Sequence, residues 1–402
     1  MTPTDPRFAP VAELFERFAQ EDPAYAGQLA LYYRGEPVLD LSVGPDRAPQ
    51  ARPEPGGDGG AEDPAFTREV MTGVFSCSKG AAGVVMALLV QDGVLDLDAP
   101  VAAYWPEYGQ AGKEATTVRQ ALSHQAGSLG VAGGFTVEEY NNSQLAAARL
   151  AAAPPNWRPG AVFSYHGLSI GILMEELVRR ITGSTLQEVY EERIRAPHGI
   201  DFYLGLPESE EPRYRDVLKP EAGPLPFIDP FGYLGTAFNS TGGFTREDGE
   251  PGELLDLPND RAIRAAGMSS AGGVANARGL ARLYAAASTG IVGEDGTRSE
   301  PLLTEHTQTI MAEDQVFGPD RADGLVKAFG VVFMKPTPEK DFGSWRVFGH
   351  EGANGSFGYA DPSYGIAFGY VPARGEDGGT LSRNGQLSVR VRQAVLQALA
   401  GG

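Results

Sequence analysis

Only one cysteine, Cys77, occurs in the 402 residues, so no intramolecular disulfide ties this chain together. Positive charge is scarce as well: 33 lysines and arginines stand against 52 aspartates and glutamates, for a formal net charge of -19. Such a balance argues against nucleic acid and anionic membrane surfaces as partners, since both attract basic patches. The five histidines (His124, His166, His198, His306 and His350) are scattered without metal-ligand spacing, so neither a metal nor a cofactor is implied. No apolar run reaches the ~20 residues that a membrane-crossing helix needs. The opening residues, MTPTDPRFAPV, have neither a basic n-region nor an apolar h-region, and we therefore expect a cytoplasmic protein.

What the chain does have is material for a core. With 42% hydrophobic residues over this length it can bury a large interior, as two lobes or one large unit. The most informative stretch is VFSCSKGAAGVVMALLVQDGVLDL, Val74 to Leu97. The ten residues after Gly80 carry no charge and no strong polar group, so a helix here is apolar on every face, lies inside the protein and ends at Gly93. At its mouth Ser76 and Lys79 are three residues apart, hence neighbours on one helix face, with Ser76 at the positive end of the helix dipole. A lysine in apolar surroundings is disfavoured in its charged form, which lowers its pKa and lets it take a proton near neutral pH. Such a pair can activate a hydroxyl for attack on an acyl carbon. The bland alternative is an N-capping serine beside a lysine that reaches out to solvent. Cys77, about 100° round the helix from Ser76, reads as a small buried filler rather than a thiol nucleophile.

Before this stretch, Phe8 to Gln20 reads as an amphipathic helix, and Gln28 to Tyr33 and Val38 to Val43 read as strands joined by an Arg34-Gly35-Glu36-Pro37 turn. Pro45 to Pro64 is too rich in proline and glycine for regular structure and reads as an exposed loop. After it come short helices at Pro100 to Tyr104 and Thr117 to His124, an alanine-rich helix from Thr136 to Ala152, an extended piece from Ala161 to Gly167 and an amphipathic helix from Leu168 to Gly183. Lys219 to Asp260, with its scattered aromatics, reads as a long loop at a substrate cleft. A helix from Ala277 to Ala287 precedes three strand-like runs, Ser344 to Phe348, Ser356 to Ala360 and Gly365 to Val371, and a last helix from Gln386 to Leu399. Sheet elements at both ends of the chain, with helices between, predict an antiparallel sheet assembled from both termini, covered by the terminal helices and carrying a helical insertion.

Three short motifs stand out along this plan: Ser76-Cys77-Ser78-Lys79, Tyr165-His166-Gly167 and His350-Glu351-Gly352. Their order and spacing resemble the serine β-lactamase and penicillin-recognising superfamily, whose motifs are S-x-x-K, a Y-x-N or S-D-N element, and K-T-G on a strand. GVLDLDAPV at 93–101, TVRQALSHQAG at 117–127, SYHGLSIGILMEELVRRITG at 164–183, MSSAGGVANARGLARL at 268–283 and FGHEGANGS at 348–356 extend the resemblance over nearly the whole chain. They look like its esterase branch, the β-lactamase-like family VIII carboxylesterases. The resemblance implies an α+β fold of the β-lactamase/transpeptidase type, with a discontinuous sheet domain (residues 1–75 and 275–402), a mainly helical domain (76–274) and the active site at their interface.

It further implies that Ser76 is the nucleophile and that Lys79 and Tyr165 form the acid/base pair. Which of the two first takes the serine proton is a coupled-titration question that the residues leave open. Cationic neighbours are expected to lower the Tyr165 phenol pKa. The backbone N–H groups of Ser76 and Ala353 are implied as the oxyanion hole, and His166, Gly167, His350 and Gly352 as substrate-binding, with Gly352 letting substrate approach the strand. Two positions depart from the pattern: Gly167 replaces the asparagine that holds the substrate amide in β-lactam-processing relatives, and His350 replaces the lysine of K-T-G. A neutral imidazole there favours uncharged acyl esters, whereas a protonated one would accept an anion.

A rival string, Gly167-Leu168-Ser169-Ile170-Gly171, fits the G-x-S-x-G nucleophile elbow of α/β-hydrolases, with His350 as the one late histidine suited to pair with Ser169. Its context is poor, because no alternating strands and helices precede it and no HGGG-like loop occurs upstream. The expected activity is therefore hydrolysis of small carboxylic esters through a Ser76 acyl-enzyme, with a small-molecule ester or acyl compound as partner. The alternatives are acyl transfer to a small metabolite, β-lactam or D-Ala-D-Ala hydrolysis, and a catalytically silent protein that keeps the fold.

Overall fold

The structure, a computed structural model, describes residues 5–44, 66–220, 228–243, 252–293, 295–376 and 381–400. In chain order its strands are β1 (Gly27–Tyr33), β2 (Glu36–Val43), β3 (Thr72–Phe75), β4 (Phe202–Tyr203), β5 (Gly273–Ala275), β6 (Val316–Pro319), β7 (Val326–Phe329), β8 (Phe348–Glu351), β9 (Phe357–Asp361) and β10 (Ile366–Pro372). Five of them make one antiparallel sheet in the order β2-β1-β10-β9-β8, so the two ends of the chain meet at its centre. There Gly27 lies opposite Pro372 and Tyr33 opposite Ile366. This is the sheet expected from both termini, and the fold is α+β.

β1 and β10 are buried along their whole length, which is why both read as continuous apolar runs rather than alternating ones. Their two faces serve different layers. Leu29 and Leu31 pack with Phe15 of the Ala9–Glu21 helix and Val391 of the Arg383–Ala400 helix. Ala30 and Ala367 face the other way, toward the Ala277–Ser288 helix and the main core. Small residues on that face let the helix backbone come close: a Cβ on Gly369 would lie 2.1 Å from the Ala277 carbonyl oxygen. The core helix itself, Cys77–Gln91, is buried at every residue from Cys77 to Leu89, and Gly93 follows it with φ at +72°. Among the described residues no helix is long and apolar enough to cross a membrane.

Three expectations change. The strand read at Ser344 to Phe348 begins only at Phe348, because the backbone N–H and hydroxyl of Ser344 are held by the Asp361 carboxylate, and the Trp345 and Val347 carbonyls take the Lys335 ammonium. His350 and Glu351 consequently lie within the strand, paired with Gly358 and Phe357, instead of in the break after it. The Thr136 to Ala152 helix is interrupted at Asn142 and forms two pieces, Val137–Asn141 and Ser143–Ala152. Within Lys219 to Asp260 the described residues include a short helix, Tyr233–Ala237, and a 3-10 turn, Leu254–Asn259, rather than loop throughout. The loop expected at Pro45 to Pro64 falls outside the described residues.

Candidate active site

β3 delivers the chain to Ser76 through a strained corner. Phe75, buried and not glycine, has φ at +46°, a conformation that costs a side-chain-bearing residue roughly 1–2 kcal/mol. Its carbonyl takes the Ser78 hydroxyl, and Ser78 Oγ in turn accepts the Gly273 N–H at 2.8 Å, tying the corner to β5. Ser76 then opens the core helix without using its hydroxyl as a cap. That hydroxyl is free for other partners, which removes the bland reading of the serine.

Two groups meet the Ser76 Oγ. Lys79 Nζ stands 2.9 Å away and Tyr165 OH 2.9 Å away on a different segment. Lys79 is fully buried, not a solvent-reaching side chain, and its other contact is the Ser270 carbonyl at 2.7 Å. Burial without a carboxylate partner holds its pKa well below the usual lysine value of 10.5. Lys79 Nζ donates to Ser76 Oγ and to the Ser270 carbonyl, and the Tyr165 O–H also donates to Ser76 Oγ; at the same distance a neutral amine can instead turn its lone pair to the serine O–H. Tyr165 departs from expectation. Burial pushes its phenol above the ordinary 10.0, outweighing the lowering effect of the hydrogen bond with Ser76.

Tyr165 is mounted by residues that the sequence reading missed. Its ring stacks on Phe329 of β7 at 5.6 Å between centroids and 6° between planes. Its backbone N–H donates to Asp320 at 2.8 Å, and the Ser164 hydroxyl donates to the same carboxylate at 2.6 Å. Burial works to raise the Asp320 pKa, but the Lys327 ammonium at 3.0 Å and these donors outweigh it and keep the carboxylate charged. Asp320 sits between the strands of the β6–β7 hairpin, in a sequence that carries no motif, so only the fold brings it to Tyr165.

The third motif approaches Ser76 from the sheet. Cys77 Sγ lies 3.3 Å from the carbonyls of His350 and Ser356, and Asn354 donates to the Gly73 carbonyl at 3.0 Å, so the end of β8 is tied to β3 and the helix start. Cys77 is a buried filler as expected, with burial pushing its thiol pKa upward. Ala353, at the exposed turn after Gly352, and Ser76 both have backbone N–H groups that meet no backbone acceptor among the described residues. Gly352 has a structural reason of its own: a Cβ there would lie 2.3 Å from the Val74 carbonyl oxygen, leaving no room between the two segments. Gly352→Ala is therefore expected to lower stability by about 1–3 kcal/mol and kcat by about 100-fold, measured by denaturant unfolding and ester turnover. An alanine variant with unchanged turnover would show that the Val74–Gly352 spacing does not matter.

The remaining expected site residues are placed differently. His350 is buried, with Nδ1 2.8 Å from the Glu351 carbonyl, and burial lowers its pKa to about 3, so the imidazole is neutral and its Nε2 meets no partner among the described residues. The protonated alternative at this position thus falls away. His166 has no exposed surface: Nδ1 lies 2.7 Å from the Ser164 carbonyl, the ring packs between His124 and Trp157, and burial lowers its pKa to about 4. It supports the Tyr165 segment instead of lining the cleft, and His124 helps by accepting the His166 backbone N–H at 3.1 Å. At Gly167, a Cβ would meet the Phe238 ring at 3.0 Å, so the space of the missing asparagine side chain is taken by an aromatic. Ser169 is buried in the first turn of the Ser169–Thr182 helix and donates to the Ser128 carbonyl at 2.7 Å, which leaves the elbow reading without a nucleophile. Among the described residues no three histidine, cysteine, aspartate or glutamate side chains gather as a metal site would need.

Comparison with known proteins places the chain in a family. The chain is 34% identical over 379 residues to the esterase/beta-lactamase LipL of Mycobacterium tuberculosis, covering 92% of this chain and 82% of that one. EstA from Arthrobacter nitroguajacolicus Rue61a superposes with a TM-score of 0.88 at 53% identity, covering 99% of both chains. A family VIII carboxylesterase superposes with a TM-score of 0.81 at 28% identity over 98% of this chain and 99% of its own. The Beta-lactamase family profile matches residues 11–387. With that match, and with relatives that are esterases, the chain belongs to the Beta-lactamase family, on its esterase branch, and is a serine hydrolase.

Proposed function

We propose that this enzyme hydrolyses small, uncharged carboxylic esters through an acyl-enzyme on Ser76, with Lys79 as first proton acceptor and Tyr165 as the acid for the leaving alcohol. The observation that carries this is the Ser76 Oγ held 2.9 Å from a buried lysine amine and 2.9 Å from a tyrosine hydroxyl. Lys79 takes the serine proton as Oγ bonds to the ester carbonyl carbon. The oxyanion that forms is met by the N–H groups of Ser76 and Ala353. As the C–O bond breaks, Tyr165 gives its proton to the departing alkoxide, and the Lys79 ammonium restores the phenol. Water then repeats the sequence on the acyl-enzyme, releasing the acid.

Neutral His350 in place of a lysine and the Phe238 ring beside Gly167 both disfavour carboxylate-bearing β-lactams and peptides. A panel of p-nitrophenyl esters, a chromogenic cephalosporin and D-Ala-D-Ala peptides tests the reading, together with fluorophosphonate labelling read as added mass on the Ser76 peptide. Turnover of the esters with an adduct on Ser76 supports it. Faster turnover of the cephalosporin than of every ester, or no adduct on folded protein, overturns it.

The pH profile has a worked sign. kcat/KM reports groups on the free enzyme, so activity rises with pH as Lys79 loses its proton, in a limb that lies below 10.5. The group that must stay protonated, Tyr165, titrates above 10.0, so no falling limb is expected until that range is passed. A decline between about pH 7 and 9 would contradict these assignments.

A further inference from the structure

We propose that an apolar cavity behind Phe238 receives the acyl chain, making medium-chain aliphatic esters the preferred substrates; this rests on the ester-hydrolase reading above. The cavity has a volume of about 540 Å³ and its walls include Leu168, Leu234, Phe238, Leu257, Ile263 and Met268. That size falls among those of sites that enclose small ligands. Leu234, Phe238 and Leu257 are only half-buried, so the fold leaves their apolar surface unfilled. A side chain of the substrate would complete the packing that the protein omits.

One wall residue, Phe238, adjoins Tyr165. The Phe238 ring centre is 6.1 Å from that of Tyr165, and Phe238 fills the space beside Gly167. Leu168 is the next residue after Gly167, and Met268 lies two residues before Ser270, whose carbonyl holds Lys79. The described lining carries no lysine or arginine, and its one acid, Glu253, is exposed and paired with Lys219 at 3.0 Å. Asn239 is committed to the backbone of Phe135 through both its side-chain atoms. The lining offers no counter-charge, and the hydroxyls of Tyr140 and Ser240 stand among many apolar side chains, which favours a hydrocarbon chain.

Of the two halves of an ester, the acyl half suits such a cavity. It stays bonded to Ser76 through acylation and deacylation, whereas the alcohol must leave before water attacks. A recess that retained the alcohol would slow the second step.

The test is the ratio of kcat/KM for p-nitrophenyl octanoate to that for the acetate. Ile263→Trp, which fills the cavity, is expected to lower this ratio by about tenfold or more, while the ratio of octyl acetate to ethyl acetate does not fall with it. Leu257→Trp, at a half-buried position, provides a second filling variant should Ile263→Trp fail to fold. An unchanged octanoate ratio in a folded filling variant, or a loss seen in the alcohol series instead, overturns the proposal. Calorimetry of octanamide with Ser76→Ala probes the cavity without catalysis: binding that Leu257→Trp abolishes supports the site even if no ester is turned over, and absence of binding overturns it whatever the turnover.

Discussion

Replacing Ser76 with alanine is expected to lower kcat for p-nitrophenyl esters by about 10⁴-fold or more, with the unfolding midpoint little changed. The size follows from convergence. Lys79 and Tyr165 both hydrogen-bond a single oxygen atom, so in the proposed mechanism its removal disables both at once. Little stability is lost because the hydroxyl caps no helix and holds no buried backbone group. Ser169→Ala is the companion measurement. Its hydroxyl serves the Ser128 carbonyl, so turnover should persist; activity lost in Ser169→Ala and kept in Ser76→Ala would reverse the assignment.

Lys79→Met is expected to reduce kcat by about 10³-fold, at the upper part of what a positioned general base supplies. It also carries a pH signature that a packing defect would not. Between the lowered folded pKa of Lys79 and the ordinary 10.5 of the unfolded chain, the unfolded state binds one more proton. Stability therefore rises with pH across that window, and the penalty for burying the amine is greatest below it. Methionine does not titrate, so this part of the slope should vanish from a stability-against-pH series. A variant that retains the wild-type slope would mean that the lysine is charged in the folded enzyme, and the proton-acceptor role would fall with it.

The strands of the central sheet and the serine–lysine pair were legible in the sequence because each is a local pattern, and strand runs at both chain ends gave the sheet its two-ended assembly. A run of uncharged residues specifies a buried helix, and three-residue spacing specifies one face of it. Tyr165 was found only by the company of other motifs. Asp320 was not found, since it reaches the site from a segment far away in sequence and has no pattern of its own; Phe238 and Ser270 fell within stretches that were singled out, 219–260 and 268–283, but without a role for either residue. The shift of β8 to Phe348–Glu351 has a similar cause: Asp361 and Lys335 hold the preceding residues in a turn, a tertiary contact that strand propensity does not contain. The phenol of Tyr165 moved opposite to expectation because its burial outweighs the hydrogen bond with Ser76.

The pairing of β1 with β10 has a consequence for how the protein is made. Gly27 waits for Pro372, and the proposed oxyanion donor Ala353 lies in the same late segment, so the nascent chain carries the proposed nucleophile long before its sheet can close. Contacts of such sequence separation make for slow folding, and during synthesis the apolar faces of β1 lie open to chaperones and to aggregation. Recovery of ester hydrolysis after dilution from denaturant should accordingly lag behind recovery of helical circular dichroism. Turnover in this enzyme reports that the last strand has reached the first.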